Sequence, residues 1–495
     1  MVSKVTSSDC PKIIEGDVGG EKPIYLYLDS DKKYLLYSDN IKELLASTDI
    51  KKPLSISSEG LSFYLQKGVI LTPKTIYENI FVINIGDRVN VTSREGKIEL
   101  EFFNKFPFFN SERNPQLELD VNYLLSLISK AVFDRLIPEK PIFLFQSLGK
   151  DSNTIALALA EAGLQNKVTC VTLSTKDRKD ESEIASKVAA KLGFKHQKLT
   201  LPSKIEKKLL DVIDYYFTHI SLPCLDGVAL VYPLYATLID FKDTNIIDGS
   251  GNDIYFGLVP RPVEYKRQKV YPKFIFLRPL AEQLPTGNIL QRLALTRCEM
   301  ICKMMGLTGF TYRDAKKIYP DAVQIYPYWK EEDKERKNWD YFDLRSNDIR
   351  GASAHFDLVI RKVRNFAEVF DINLILPWTN REIAKYVGKV SEKCLFDRKR
   401  FKNKLPLRRL LKERLDLDSD VLGKYSYGFN AYKFLKNIDF KVKEEVIECK
   451  LWDSKHIQKL FRIVEERAEK NKLFQKLYTK LFLISAWFNH NKYLK

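Results

Sequence analysis

Short runs of alternating apolar and polar residues fill the first hundred positions, and a different rhythm takes over after about residue 118. IYLYLDS, KYLLYSD, NIFVINI, DRVNVTS and KIELEFF, all between residues 22 and 104, read as β-strands, with Gly86–Asp87 and Glu95–Gly96 supplying turn chemistry. A helical stretch at 59–67 interrupts them. Residues 105–117 (KFPFFNSERNPQL), marked by Pro and Asn, read as a linker. Beyond it, 121–136 carries apolar residues at helical spacing. A buried strand, IFLFQS, comes next, then a Gly loop and a helix over 154–163. VTCVTL at 168–173 is a second strand, 181–192 a helix stopped by Gly193, HQKLT from His196 a third strand, and NIIDG at 245–249 a fourth. Strands alternating with helices at this spacing predict an α/β fold with a parallel, doubly wound sheet. From about 291 the pattern is mainly helical. The expected organisation is a small β-rich module over 1–107 and a larger unit over 118–495, its sheet part at 118–290 and its helical part at 291–495.

At 495 residues the chain is too long for one ordinary domain, and its 45% hydrophobic content supplies a sizeable core. The first residues lack the apolar core of a signal peptide, and no apolar run approaches the roughly 18 residues of a membrane span. A cytoplasmic location is expected. Seven dispersed cysteines fit a reducing compartment better than a disulfide framework. Cys298 and Cys302, four apart, lack two further ligands for zinc and read as core residues. A net charge of +17 suits a nucleic acid or an anionic substrate, although Lys is spread along the whole chain as in a merely basic surface. The densest cluster, Arg398–Lys399–Arg400 through Lys404, then Arg408–Arg409 and Lys412, faces either phosphates or solvent. His196 and His355 read as structural, and the aromatic stripe at 473–487 as core or subunit contact.

The most informative segment is FLFQSLGKDSN at 143–153. A strand runs into a short Ser/Gly loop and a helix starts at once, which aims N–H groups and a helix N-terminus at one point. That geometry suits a phosphate or pyrophosphate. Ser147 and Ser152 add hydroxyls and Lys150 a positive charge. Asp151 would repel such a ligand unless a cation lay between them, so it reads as a Mg²⁺ ligand. The loop is not a Walker A motif, because G-x-x-x-x-G-K-[ST] is absent.

SLGKDS resembles the S-G-G-x-D-S loop of the N-type ATP pyrophosphatases, the PP-loop enzymes. The rest of the chain narrows the resemblance to the asparagine synthetase-like branch. VTLSTKDRKDESEIASKVAAKLGFKHQKL is similar to that branch's second strand, acidic helix and third strand. DGSGNDIYFG at 248–257 is similar to S-G-E-G-x-D-E-L-F-G, LPWTNRE at 376–382 to V-P-F-L-D-x-x, and LLKE at 410–413 to L-L-R-E. Residues 19–103 resemble only the later part of the N-terminal glutaminase module. The resemblance implies that Ser147, Leu148, Gly149, Lys150, Asp151 and Ser152, with Gly249 and Gly251, hold the phosphates of ATP. It further implies that Asp151 and Asp253 bind Mg²⁺, and that the backbone at Leu173 and Ser174 meets adenine.

Four departures refine the expectation. The nucleophilic cysteine that follows the initiator Met in glutamine amidotransferases is missing, since position 2 is Val and Cys10 lies deeper, so no glutamine hydrolysis is expected. Leu148 replaces a glycine of the loop, narrowing backbone approach to phosphate. Ser250 stands where relatives carry Glu or Tyr near the reacting centre. The family's catalytic Lys falls within one position of Lys404, and the E-x-R ahead of the Pro is replaced by Asn373 and Ile375, which argues against aspartate as acceptor. The implied activity is AMP- and pyrophosphate-forming adenylation of a small-molecule or peptide carboxylate, then amide or lactam formation with ammonia or an amine. This is the chemistry of β-lactam synthetases and lasso-peptide cyclases, and points to specialised-metabolite or polysaccharide biosynthesis, with a homodimer or a biosynthetic partner protein in view. The alternatives are a non-catalytic nucleotide-binding partner and a PP-loop tRNA-modifying enzyme. Nucleic acid is not the expected partner, because the C-terminal half follows the synthetase branch.

Overall fold

The computed structural model describes residues 1–109, 113–174, 181–200, 207–304, 306–347, 355–422 and 429–494. Seven strands precede the segment read as a linker: β1 (Ser3–Thr6), β2 (Lys12–Glu15), β3 (Ile24–Leu28), β4 (Tyr34–Ser38), β5 (Ile80–Ile83), β6 (Arg88–Arg94) and β7 (Lys97–Phe103). They form two antiparallel sheets, ordered β1-β4-β3-β5 and β2-β6-β7. Glu95 and Gly96 close the β6–β7 hairpin with positive φ at both positions (53° and 74°), the two-residue turn that matches strand twist. Alternation along the strands decides which side each residue faces. Leu26, Leu35, Val89 and Val91 fill the space between the sheets. Tyr25, Tyr27 and Leu36 turn the other way and join a core built with the helix Ser58–Gln66 and the C-terminal helices. Tyr77 and Trp487 meet there with ring centroids 5.9 Å apart. The first module therefore shares one face's core with the end of the chain.

The second sheet comprises β8 (Ile142–Phe145), β9 (Val168–Ser174), β10 (Lys195–Thr200), β11 (Asn245–Ile247) and β12 (Asn373–Ile375). All its pairings are parallel and the order is β10-β9-β8-β11-β12. Leu144, Cys170 and Ile247 face the helices Val121–Phe133, Lys150–Glu161 and Leu405–Leu415. Phe145, Val171 and Ile246 face Tyr232, Tyr235, Val363 and Phe366. Both faces are covered, as a parallel sheet requires.

Several expectations are corrected. β1 and β2 lie ahead of the first strand read from the sequence, and β12 lies inside the part read as helical, as does a two-residue pairing of Phe396–Asp397 with Lys402–Asn403. The helix after β8 begins at Lys150 rather than 154, because Gly149 is already its N-cap. Lys150 and Asp151 thus belong to the first helical turn. The linker is packed rather than free. Phe108 is buried against Tyr255, Phe109 stacks on Trp339, and Arg113 donates to the carbonyls of Phe108, Val387 and Val390. Residues 110–112 lie outside the described residues, as do 175–180 of the segment likened to the second strand and acidic helix. Cys298 and Cys302 are core residues, the aromatics of 473–487 are core, and His196 shares a 2.9 Å hydrogen bond with Thr172. The side chain of His355 is outside the described set. No helix among the described residues is long and apolar enough to cross a membrane.

Candidate active site

The strand order places a switch point between β8 and β11. From β8 the chain progresses to β9 and β10 on one side, whereas β11 and β12 lie on the other. The loops leaving the C-terminal ends of β8 and β11 therefore diverge from neighbouring strands and leave a crevice, where ligands of open α/β sheets bind. Both loops singled out in the sequence, 146–149 and 248–252, sit at this crevice.

The first loop is shaped by its own side chains. Ser152 Oγ accepts from the Ser147 N–H at 3.1 Å, and Ser147 Oγ accepts from the Gly149 N–H at 3.0 Å. Asn153, fully buried, donates to the carbonyls of Ser147 and Gly149 at 2.9 Å each and accepts from Gln146 at 2.9 Å. Turning both carbonyls toward Asn153 leaves the opposite side of the loop to N–H and hydroxyl groups. Ser147 is exposed there. The Leu148 N–H donates to the Glu181 carboxylate at 3.1 Å, so an anionic oxygen already occupies one loop donor. Neither Asn153 nor Glu181 was singled out from sequence. Asn153 follows the motif directly, but which way it points is fixed only by the turn.

Asp151 and Asp253, 102 positions apart, converge on one cation. Lys404 Nζ lies 2.8 and 2.7 Å from the two oxygens of Asp151, 2.8 Å from Asp253 Oδ1, and donates to Asn252 Oδ1 at 2.8 Å. Asn252 in turn donates to Asp151 Oδ1 at 2.7 Å. Lys404 is 5% exposed, and burial works against its charge. The Asp151 and Asp253 carboxylates outweigh that burial and hold its pKa above the ordinary lysine value. Its backbone is left-handed (φ 55°), a costly conformation for a non-glycine residue. The strain is sustained by the short Phe396–Asn403 pairing before it and by the helix Leu405–Leu415 after it. Asn403 also donates to the Gly257 carbonyl at 2.6 Å.

The second loop is tight against the first. A Cβ on Gly249 would stand 3.0 Å from the Ser152 nitrogen. Gly251, at φ 126°, abuts Thr379, which also takes the close approach of Gly19 from the first module. Trp378 beside it donates to the Asp151 carbonyl at 3.2 Å. The Pro377–Thr379 turn is thus a strut between the β-rich module and both loops. The Ser250 N–H donates to Asp248 Oδ1 at 2.9 Å. Burial raises the Asp248 pKa, and hydrogen bonds from Ser250 partly offset the rise. Asp248, buried beside Ser250, was quoted in the sequence motif but not selected.

Most candidates from sequence meet at this crevice: Ser147, Leu148, Gly149, Lys150, Asp151, Ser152, Gly249, Ser250, Gly251, Asp253 and Lys404. Leu173 and Ser174 end β9, one strand away, where Tyr235 donates to the Ser174 carbonyl at 3.1 Å. Most of the basic cluster around Lys404 is neutralised within the chain. Arg398 pairs with Asp340, Asp343 and Glu392, Lys402 and Arg408 with Asp420, and Lys412 with Asp418. The donor set fits Mg²⁺. Two carboxylates with exposures of 29% and 39% supply hard oxygens, and the remaining ligands of such an ion come from phosphate and water.

A family model described as asparagine synthase matches residues 123–436, the whole second sheet and the Lys404 hairpin included. Over 315 residues the chain is also 22% identical to a Methanocaldococcus jannaschii protein named "Putative asparagine synthetase (glutamine-hydrolyzing) 2". That match covers 63% of this chain and 59% of the relative's length.

Proposed function

The chain belongs to the asparagine synthase family, and from that premise we propose that it joins a carboxylate to a nitrogen nucleophile by AMP-forming adenylation. The observation that carries this reading is the meeting of Asp151, Asp253 and Lys404 at the switch point of the sheet. A carboxylate is a poor electrophile. Attack of its oxygen on the α-phosphorus of ATP breaks the bond to the β-phosphate, releases pyrophosphate and leaves an acyl adenylate with a good leaving group. An amine or ammonia then attacks the acyl carbon, and AMP departs. Bound Mg²⁺ would neutralise charge building on the leaving pyrophosphate. Among this chain's own groups, the Ser147–Ser152 loop and the N-terminus of the helix Lys150–Glu161 receive the phosphates. Lys404 follows charge from the carboxylates to the phosphates, and Asp248, through Ser250, accepts the proton shed by the attacking nitrogen.

The nitrogen is proposed to come from ammonia or an amine rather than from glutamine. Cys10, the one cysteine of the first module, donates to the Thr6 carbonyl, and burial raises its pKa, the reverse of an activated nucleophile. ATP labelled at the α-phosphate, incubated with Mg²⁺ and mixed small carboxylates and amines, should give labelled AMP in step with pyrophosphate, and glutamine should yield no glutamate. Labelled ADP as the product, or glutamate release, would contradict the reading.

A further inference from the structure

The segment that follows the second loop leaves much of its apolar surface unburied. It runs through the helix Pro262–Gln268, the 3₁₀ helix Tyr271–Leu277 and the helices Arg278–Gln283 and Ile289–Leu293. The 3₁₀ helix reads YPKFIFL and the last helix ILQRL, yet neither buries a single residue. Phe276 is 72% exposed, Ile289 62% and Leu280 54%, and Val263 and Val270 are exposed as well. Single exposed apolar residues are ordinary, but a group of them marks a binding surface. Here they are neighbours. The last three elements pack on one another, and Phe276 and Leu280 stand four residues apart along one helical path.

Every exposed charge between 261 and 293 is positive: Arg261, Lys266, Arg267, Lys269, Lys273 and Arg292. The two carboxylates of the segment are buried and already paired. Glu264 lies 3.4 Å from both Arg261 and Arg345, and Glu282 lies 2.6 Å from Arg278. Lys303 sits 4.5 Å over the Tyr271 ring and donates to the Arg292 carbonyl. Burial, with Lys67, Arg267 and Arg292 nearby, pushes its pKa down to about 8. Cations of several elements therefore crowd the same area as the exposed apolar residues. A second copy of the chain would set these cations against one another. Lysine is also depleted from protein–protein interfaces, whereas here Lys273 and Arg292 each stand three residues from Phe276 and Ile289. At a membrane surface such long cationic side chains extend to the headgroups while their apolar neighbours enter the acyl boundary.

We propose that the face formed by residues 261–293 docks on an anionic phospholipid surface, with Phe276, Leu280 and Ile289 entering the interface and the surrounding Lys and Arg meeting lipid phosphates. The chain then lies on a bilayer without crossing it. Tyr265 packs on Phe401 with ring centroids 5.8 Å apart, so the docking face is joined to the hairpin that carries Lys404. The docking requires nothing of the adenylation chemistry.

The test is cosedimentation of the full chain with vesicles of phosphatidylcholine, alone or mixed in equal parts with phosphatidylglycerol, at about 0.15 M salt. The wild type should bind the mixed vesicles, and pure phosphatidylcholine about tenfold or more weakly. Phe276→Ser/Leu280→Ser should weaken binding to mixed vesicles about tenfold or more, with a melting temperature close to wild type because both side chains are exposed. Lys269→Glu/Lys273→Glu should weaken it by a similar factor. Lys455→Glu/Lys459→Glu makes the same charge change on the helix Ser454–Ala468, outside the face, and should bind like wild type. Equal losses in the two charge variants would reduce the binding to the overall positive charge and overturn the proposal. So would binding that survives Phe276→Ser/Leu280→Ser, or no binding by the wild type, which would leave the face to an acidic protein. A wild type that self-associates without sedimenting with vesicles, beside a monomeric Phe276→Ser/Leu280→Ser variant, would make a second copy the occupant instead.

Discussion

On the proposed adenylation, Asp151→Asn should cut AMP formation by about a thousandfold or more while leaving the fold in place, because it removes a charge that would hold Mg²⁺ at the point where pyrophosphate leaves. Both Asp151 oxygens lie within 2.8 Å of Lys404, and Oδ1 also accepts from Asn252. An asparagine keeps the size and one acceptor oxygen, so the surrounding hydrogen bonds are largely retained. The Trp378 indole bonds to the backbone carbonyl of residue 151 and is unaffected. Thermal unfolding should shift by only a few degrees, while pyrophosphate release falls to background. A large loss of stability with proportionate loss of activity would instead make Asp151 a structural residue.

Lys404→Met should act in two directions. Turnover should fall by about a hundred- to a thousandfold, the usual loss when a group that stabilises transition-state charge is removed. Affinity for Mg²⁺ without nucleotide should rise, because Asp151 and Asp253 lose the cation they share and an external one replaces it. Without that cation the two carboxylates repel one another and destabilise the folded variant wherever both are ionised. The gap in melting temperature between wild type and variant should therefore be wide near pH 7 and narrow toward pH 4, where carboxylates take up protons. It should also narrow when Mg²⁺ is added at pH 7. Metal affinity equal to wild type would show that Lys404 does not compete for that position.

Much of this arrangement was legible in the sequence, for identifiable reasons. Of the four parallel strands read from the sequence, β8, β9 and β11 are mainly apolar, whereas β10 (KHQKLT) holds a single apolar residue, and β8 ends in a loop whose residue types suit only a few tasks. The series of motifs placed Asp253 beside Asp151. β12 was missed because Asn373–Ile375 is three residues long, too short to show a period inside a helical region. β1 and β2 were missed because each buries a single residue, Val5 and Ile14, so neither alternates clearly. The catalytic reading of Lys404 came from resemblance; its charge cluster left phosphate and solvent both open. A lysine in a charged hairpin gives no sign that its backbone is left-handed or that it points inward. Asn153, Glu181 and Asp248 act through the direction of a side chain across a turn, which a linear pattern does not encode. The packed segment after β7 misled for a different reason: Pro and Asn mark an irregular backbone, but Phe106, Phe108 and Phe109 are what anchor it.

The most direct test of the account is a crystal structure of the protein grown with Mg²⁺ and α,β-methylene-ATP. The account predicts a metal ion about 2.1 Å from carboxylate oxygens of both Asp151 and Asp253, the phosphates along 147–152, and Lys404 turned onto a phosphate oxygen. Nucleotide bound elsewhere, or Lys404 still seated between the two carboxylates with the phosphates remote from them, would contradict it.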